Sequence, residues 1–307
     1  MPKVHVSKSI HIKSPQDKVF SFVRDFSQWP VWSPWLITDP DCQLTYRDDG
    51  NQYTWDGPVT GAGEMEVLGD SPNEEIHYDL RFLKPFKSQA KVTFRFAAEK
   101  GGTKATWIMD SSLPFFLFFM RPMMTAMIGM DYQRGLSMLK DQLEDGKVPS
   151  TLAFPGESEV TAAPYIGIHR QCSIDEMPAL MGKDFQELCH WAETNRDVEG
   201  GKAFSIYHQW TPTKNVVEYT TGLELAKPLD TTPDGFTIGE RPACRAFVVT
   251  HTGPFRHLGN AWSAGMFRSR NKIFCQHKAI PPFEVYDNLH EDGPEEGYVT
   301  SVHFPVR

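Results

Sequence analysis

Ala203-Phe204-Ser205-Ile206-Tyr207 and Pro282-Phe283-Glu284-Val285-Tyr286 are two versions of one pattern, set 79 residues apart in a 307-residue chain. Each has apolar residues at its second and fourth positions and a tyrosine at its fifth, the alternation of a strand. The offset persists downstream, where Tyr219-Thr220-Thr221-Gly222-Leu223 aligns with Tyr298-Val299-Thr300-Ser301-Val302. Upstream, the strand-like stretches Tyr165 to His169 and Ala246 to Thr250 each lead into a helical stretch, Glu176 to Thr194 and Phe255 to Cys275. The second half is therefore expected to be two strand-helix-strand-strand repeats. Joined by non-sequential pairing, they form a pseudo-twofold sheet with helices on one face and a groove between the halves.

On such strands Glu284 and Tyr286 share a face, and Ser205 and Tyr207 take the equivalent places in the other repeat. The four converge at the groove, with Trp262 and Phe255 as candidates for its wall. A carboxylate buried there needs a cationic ligand, a hydrogen-bonding neighbour such as Tyr207, or a raised pKa. The competing expectation is an outward Glu284 on an edge strand, solvated like most glutamates. For Tyr207 and Tyr286 the competing account is the preference of strands for aromatic residues.

The first half has a different grammar. Val4, Val6, Ile10 and Ile12 alternate as a strand, with Lys8 on the same face. Ser14-Pro15-Gln16-Asp17 reads as a capped helix start, followed by the apolar stripe Val19, Phe20, Val23 and Phe26. An aromatic loop from Trp29 to Trp35 ends this helix. From Gln43 to Met109 successive strands are separated by turn signals, and Gln89 to Ala97 with Thr103 to Met109 form a hairpin across Lys100-Gly101-Gly102. Tyr132, Leu136, Leu139 and Leu143 then mark a long helix, with Gly146 at its C-terminal cap. The apolar run Leu113 to Met130, interrupted by Arg121 and Pro122, is too short for a membrane span and predicts a buried helix. Trp35, Trp55 and Trp107, together with Trp32 and Tyr53, are candidates to line a cavity. So are Met127 and its neighbours Met120, Met123, Met124 and Met130, because flexible thioethers adapt to different ligands. Core packing explains any one of them equally well. The stretch from Lys147 to Ser158, rich in Pro, Gly and Ser, reads as a linker, giving domains at 1–146 and 158–307 with the linker at 147–157.

The net charge of −8 divides as 17 basic and 19 acidic residues over 1–150, against 14 and 20 over 151–307. Neither half carries the basic footprint of a nucleic-acid binder, and the same count disfavours anionic membrane surfaces. It favours cationic ligands in the C-terminal groove. Five scattered cysteines with no C-x-x-C pair argue against zinc and against a disulfide framework, and eleven scattered histidines make no metal set. Met-Pro-Lys-Val-His lacks the apolar core of a signal peptide, so a reducing cytoplasm is expected. His190 and Glu193 lack the second histidine of a zinc-protease helix, and Gly61-Ala62-Gly63 lacks the third glycine of a dinucleotide loop. Trp262-Ser263-Ala264-Gly265 lacks the glycine of a nucleophile elbow, and no cofactor is expected.

Ile12-Lys13-Ser14-Pro15 with Val19-Phe20, the Asp25 to Trp35 loop, Tyr53-Thr54-Trp55, Gly102 to Trp107 and Gly135 to Lys140 resemble the SRPBCC superfamily, the START and polyketide-cyclase-like domains. That resemblance implies a helix-grip fold, a curved antiparallel sheet wrapped around a long C-terminal helix and enclosing an apolar cavity. Thr252-Gly253-Pro254-Phe255 leading to Ala261-Trp262, then Pro282 to Tyr286 and the terminal Val299 to Val306 strand, resemble the GyrI-like effector-binding domains of AraC- and MerR-type regulators. There, by implication, a glutamate at the place of Glu284 engages cationic aromatic ligands. This chain departs from those regulators in showing no recognisable helix-turn-helix. The expectation is an α+β, two-domain small-molecule binder for an apolar or cationic amphiphile, with one pocket per domain. The alternatives are a cofactor-independent hydrolase using Glu284 as general acid/base, a polyketide-cyclase-like enzyme in the first domain, and a protein-binding adaptor resembling gyrase inhibitors.

Overall fold

Alternation at the N-terminus produces β1 (Lys3–Ile12), in which Val4, Val6 and Ile12 are buried. The computed structural model describes residues 3–195, 200–288 and 293–307; Met1 and Pro2, part of the stretch read for a leader, lie outside them. The chain divides into two compact units, Met1–Pro149 and Ser150–Arg307.

In the first unit β1 is followed by α1 (Gln16–Arg24) and the four-residue α2 (Trp29–Trp32). Ser14 does not cap α1 as expected. The cap position falls one residue later, at Pro15, whose carbonyl accepts from the Val19 N–H. Six strands follow: β2 (Gln43–Tyr46), β3 (Gln52–Gly57), β4 (Gly61–Ser71), β5 (Glu75–Lys84), β6 (Ser88–Glu99) and β7 (Gly102–Ser112). The sheet is antiparallel in the order β1-β7-β6-β5-β4-β3-β2, and register shifts in β4 bend it. Its inner face holds α3 (Arg121–Asp145), which buries Tyr132, Leu136, Leu139 and Leu143 and ends at Gly146 with φ +74°, a left-handed cap that glycine adopts without strain. This is the helix-grip, α+β architecture.

One expectation fails here. Leu113 to Met130 is not a buried helix: Leu113 is buried, but Phe115–Met120 form a 3-10 turn with four exposed phenylalanines, and α3 begins only at Arg121. The buried residues of α3 begin at Gly129, so the apolar residues before it extend past the sheet that would have covered them.

The second unit contains β8 (Thr151–Val160), β9 (Ala163–Ser173), α4 (Met177–Thr194), β10 (Gly200–Thr211), β11 (Val216–Leu225), β12 (Thr237–Arg241), β13 (Cys244–Thr252), α5 (Gly259–Arg270), β14 (Phe283–Tyr286) and β15 (Val299–Pro305). The sheet order is β12-β9-β11-β10-β14-β15-β13-β8. The triplets β9-β11-β10 and β14-β15-β13 are mirror-ordered about the seam between β10 and β14, the layout of a duplicated β-α-β-β unit. At the seam Ser205 pairs with Glu284, so the two equivalent repeat positions are cross-strand neighbours.

Residues 151–157, expected as linker, are instead part of β8, an edge strand paired with β13. Pro155 and Gly156 (φ +87°), which carried the linker signal, lie at a register shift between Val248 and Thr250, where an edge strand tolerates a missing donor. The second helical stretch is also broken: a 3-10 turn at Phe255–His257 precedes α5. Gly265 lets α5 approach the sheet, since a Cβ there would collide with the Phe304 ring.

Candidate functional site

β14 lies between β10 and β15, so Glu284 is on an interior strand and not on an edge. Its side chain is 2% exposed. Glu284 Oε1 accepts from Trp262 Nε1 at 2.5 Å; Oε2 accepts from Tyr207 Oη at 3.0 Å and from Tyr286 Oη at 2.6 Å. Tyr286 Oη also lies 3.1 Å from Ser205 Oγ. The tyrosine has one proton, and the shorter contact to the carboxylate takes it, leaving the Ser205 hydroxyl to donate to the phenol oxygen. Ser205, Tyr207, Trp262, Glu284 and Tyr286 thus come together as the strand alternation requires.

The walls are aromatic. Tyr207 and Trp262 meet edge to face at 4.9 Å, and Phe255 and Phe185 each present an edge to Tyr286, at 5.6 and 5.1 Å. Phe255 remains exposed at the rim. From α4, Met181 Sδ comes within 3.7 Å of both Ser205 Oγ and Tyr286 Oη. Burial pushes the Glu284 carboxyl up from its ordinary value, opposed by the hydrogen bonds from Tyr286, Trp262 and Tyr207. The Tyr207 and Tyr286 hydroxyls are pushed well up by burial first and by the Glu284 charge second. Among the described residues no cation pairs with this carboxylate.

A second polar group lies beside it and was not anticipated from the sequence. Asp184 of α4 is fully buried and accepts from Arg170 of β9, with Nε 3.1 Å from each oxygen and a further contact from Nη2. Tyr219 Oη donates to the same carboxylate at 3.0 Å, and Tyr219 is the cross-strand partner of Tyr207. The sequence does hold a signal for Asp184. It falls in the stripe Met181, Asp184, Leu188, an acid on the apolar face of a helix.

In the first unit Trp107 is wedged between Tyr132 (3.9 Å, stacked) and Phe94 (4.9 Å), with Trp35 edge-on at 5.7 Å. Trp35 Nε1 donates to Asp131 at 3.2 Å. Trp55 lies apart from these, against Tyr53 and Phe82 and over Gly63, where its ring fills the space a Cβ would need. Met127 is half-buried on α3, and Met120 and Met123 are exposed, so the five methionines do not form one wall. Among the described residues the buried indole N–H groups of Trp32 and Trp107 have no hydrogen-bond partner.

Residues 3–144 match the family model for polyketide cyclase/dehydrase and lipid transport, and residues 157–307 match the model for the GyrI-like small molecule binding domain. The chain is a fusion of these two domains. Both are of the small-molecule-binding kind. Among solved structures, the chain is similar to EcmrR in its DNA complex (16% identity, 63% of this chain and 72% of that one, TM-score 0.43). It is also similar to the EcmrR C-terminal domain (17%, 52% and 98%, 0.40) and to a START superfamily protein from Mycobacterium smegmatis (20%, 47% and 99%, 0.35). Comparison with curated proteins returns no match. Among the described residues of the polyketide-cyclase-type and GyrI-like domains, no helix is long and apolar enough to cross a membrane, and no three His, Cys, Asp or Glu side chains converge as a metal would require.

Proposed function

We propose that the GyrI-like domain binds a cationic aromatic or amphiphilic small molecule against Glu284, and that the protein senses or sequesters that ligand. The observation that supports this is a buried carboxylate whose three donors are all aromatic side chains. Such a site supplies the two attractions an organic cation seeks, a negative charge and π faces. Met181, flexible and polarizable, is the covering side chain that yields to ligands of different shape.

Glu284→Gln is expected to weaken binding of the cationic dye acridine orange by roughly 30-fold, about 2 kcal/mol, while leaving the neutral dye Nile red unaffected. Fluorescence titration of both proteins with both dyes measures this, and equal affinity of the two proteins for the cation rejects the assignment. Titration gives a second check. Because burial raises the folded-state pKa of Glu284, the stability this group contributes is fully present below the unfolded-state pKa and is lost as pH rises through the folded-state value. Without ligand, Glu284→Gln should therefore gain on the wild type in urea unfolding as pH rises above the ordinary glutamate range. A pH-independent difference would place the carboxylate in contact with water.

Hydrolysis with Glu284 as general acid/base is the second reading, supported by the raised pKa. Both oxygens are already engaged by three donors, whereas a base must reach a substrate proton, so the geometry favours binding. Product from a nitrophenyl ester accumulating beyond the protein concentration, and lost in Glu284→Gln, would reverse that preference.

A further inference from the structure

Between β7 and α3, Phe115, Phe116, Phe118 and Phe119 are 57–77% exposed, and Met120 and Met123 continue the apolar surface into the helix. Phe86, in the turn between β5 and β6, is 81% exposed, with Leu83 exposed beside it. The register brings both segments to one end of the first sheet: Phe82 pairs with Ser88, Ala90 with Ser111, and Ser112 with Lys3. A phenylalanine left in water forgoes the gain of burial, and five are left so here. Concentrations of exposed apolar surface on this scale mark a contact with something else.

The charges at this end point to what that is. Residues 80–90 and 111–130 contain no Asp or Glu. Arg81 is held by Glu64 and Asp79, and Lys84 by Asp56. Lys87 and Arg121 are exposed, and among the described residues no carboxylate holds either. We infer that this end of the first unit docks on an anionic lipid bilayer, its phenylalanines entering the interfacial layer with Lys87 and Arg121 at the level of the lipid phosphates.

The charges favour a bilayer over a second copy of the chain. A second copy meeting this face through a twofold axis would set Lys87 and Arg121 against the same cations. The whole-chain charge of −8, which argued against membranes, is the wrong measure at such a contact. Screening over about 8–10 Å leaves the local cations in control. This inference is independent of the reading of Glu284.

The test is cosedimentation of the full chain with vesicles of phosphatidylcholine, alone or with phosphatidylglycerol. Wild type is expected to bind the mixed vesicles and to be released by salt. Phe116→Ser/Phe119→Ser, at exposed positions, is expected to bind at least about tenfold more weakly, and Lys87→Gln/Arg121→Gln about fivefold more weakly per charge. Unchanged near-ultraviolet circular dichroism establishes that each variant is folded. Wild type remaining in the supernatant with both vesicles overturns the proposal, as does equal binding by the phenylalanine variant. So does a wild-type dimer in sedimentation velocity that the phenylalanine variant dissociates without any vesicle binding, which would assign the surface to a second copy.

Discussion

Arg170→Met is expected to destabilise the second unit by roughly 2–3 kcal/mol, because it leaves a fully buried carboxylate without its cation, with solvent at the one-third-exposed guanidinium moderating the effect. Asp184 would retain only the Tyr219 hydroxyl, and a single phenol does not replace the hydration that the charge surrendered on folding. The double variant Arg170→Met/Asp184→Leu should recover most of the loss, since apolar side chains of similar volume often replace a buried ion pair at little cost. Urea unfolding followed by the fluorescence of Trp191, Trp210 and Trp262 compares the three proteins. A loss below about 1 kcal/mol in the single variant would class the pair with solvent-exposed bridges. The effect should also reach the ligand site. Tyr219 is the cross-strand neighbour of Tyr207, so loosening it loosens a donor to Glu284.

Trp107→Ala should cost the first unit about 3–5 kcal/mol, the range for removing a large aromatic from a closely packed interior. The ring is covered by Tyr132 on one face and Phe94 on the other, with Trp29, Trp32 and Trp35 at its edges. α3 and β7 are therefore joined through it, and an alanine would leave a hole that neither a helix nor a central strand can move to fill. Trp107→Phe should lose markedly less, because it keeps the stack and removes the unpartnered indole N–H at the same time. Thermal unfolding of the two variants checks the order. If alanine and phenylalanine behave alike, the stack contributes little and the core is looser than these distances show.

Much of this was legible in the sequence, for a specific reason. Ser205, Tyr207, Glu284 and Tyr286 could be assigned to one face because the repeat fixed the strands and the period of two fixed the side, independent of any contact. Arg170 and Tyr219 were missed because their bond to Asp184 joins a strand to a helix from a different part of the chain, and no local period records such a pairing. The run from Leu113 was misread for a related reason. Hydrophobicity measures what a segment would gain from a partner and not whether the fold provides one. Pro155 and Gly156 misled because a linker and a bulged edge strand call for the same residues.

The seam between the two repeats joins positions that are equivalent by duplication and unequal in chemistry, a hydroxyl at Ser205 and a carboxylate at Glu284. Identical residues there would let a guest lie in the groove in either of two directions. With the charge on one side, the guest has a head and a tail. The site should hold one molecule in one direction and give a doubly charged ligand no reward for its second charge. On that basis monocations with a single charged end, and not symmetrical dications, are the compounds to try first.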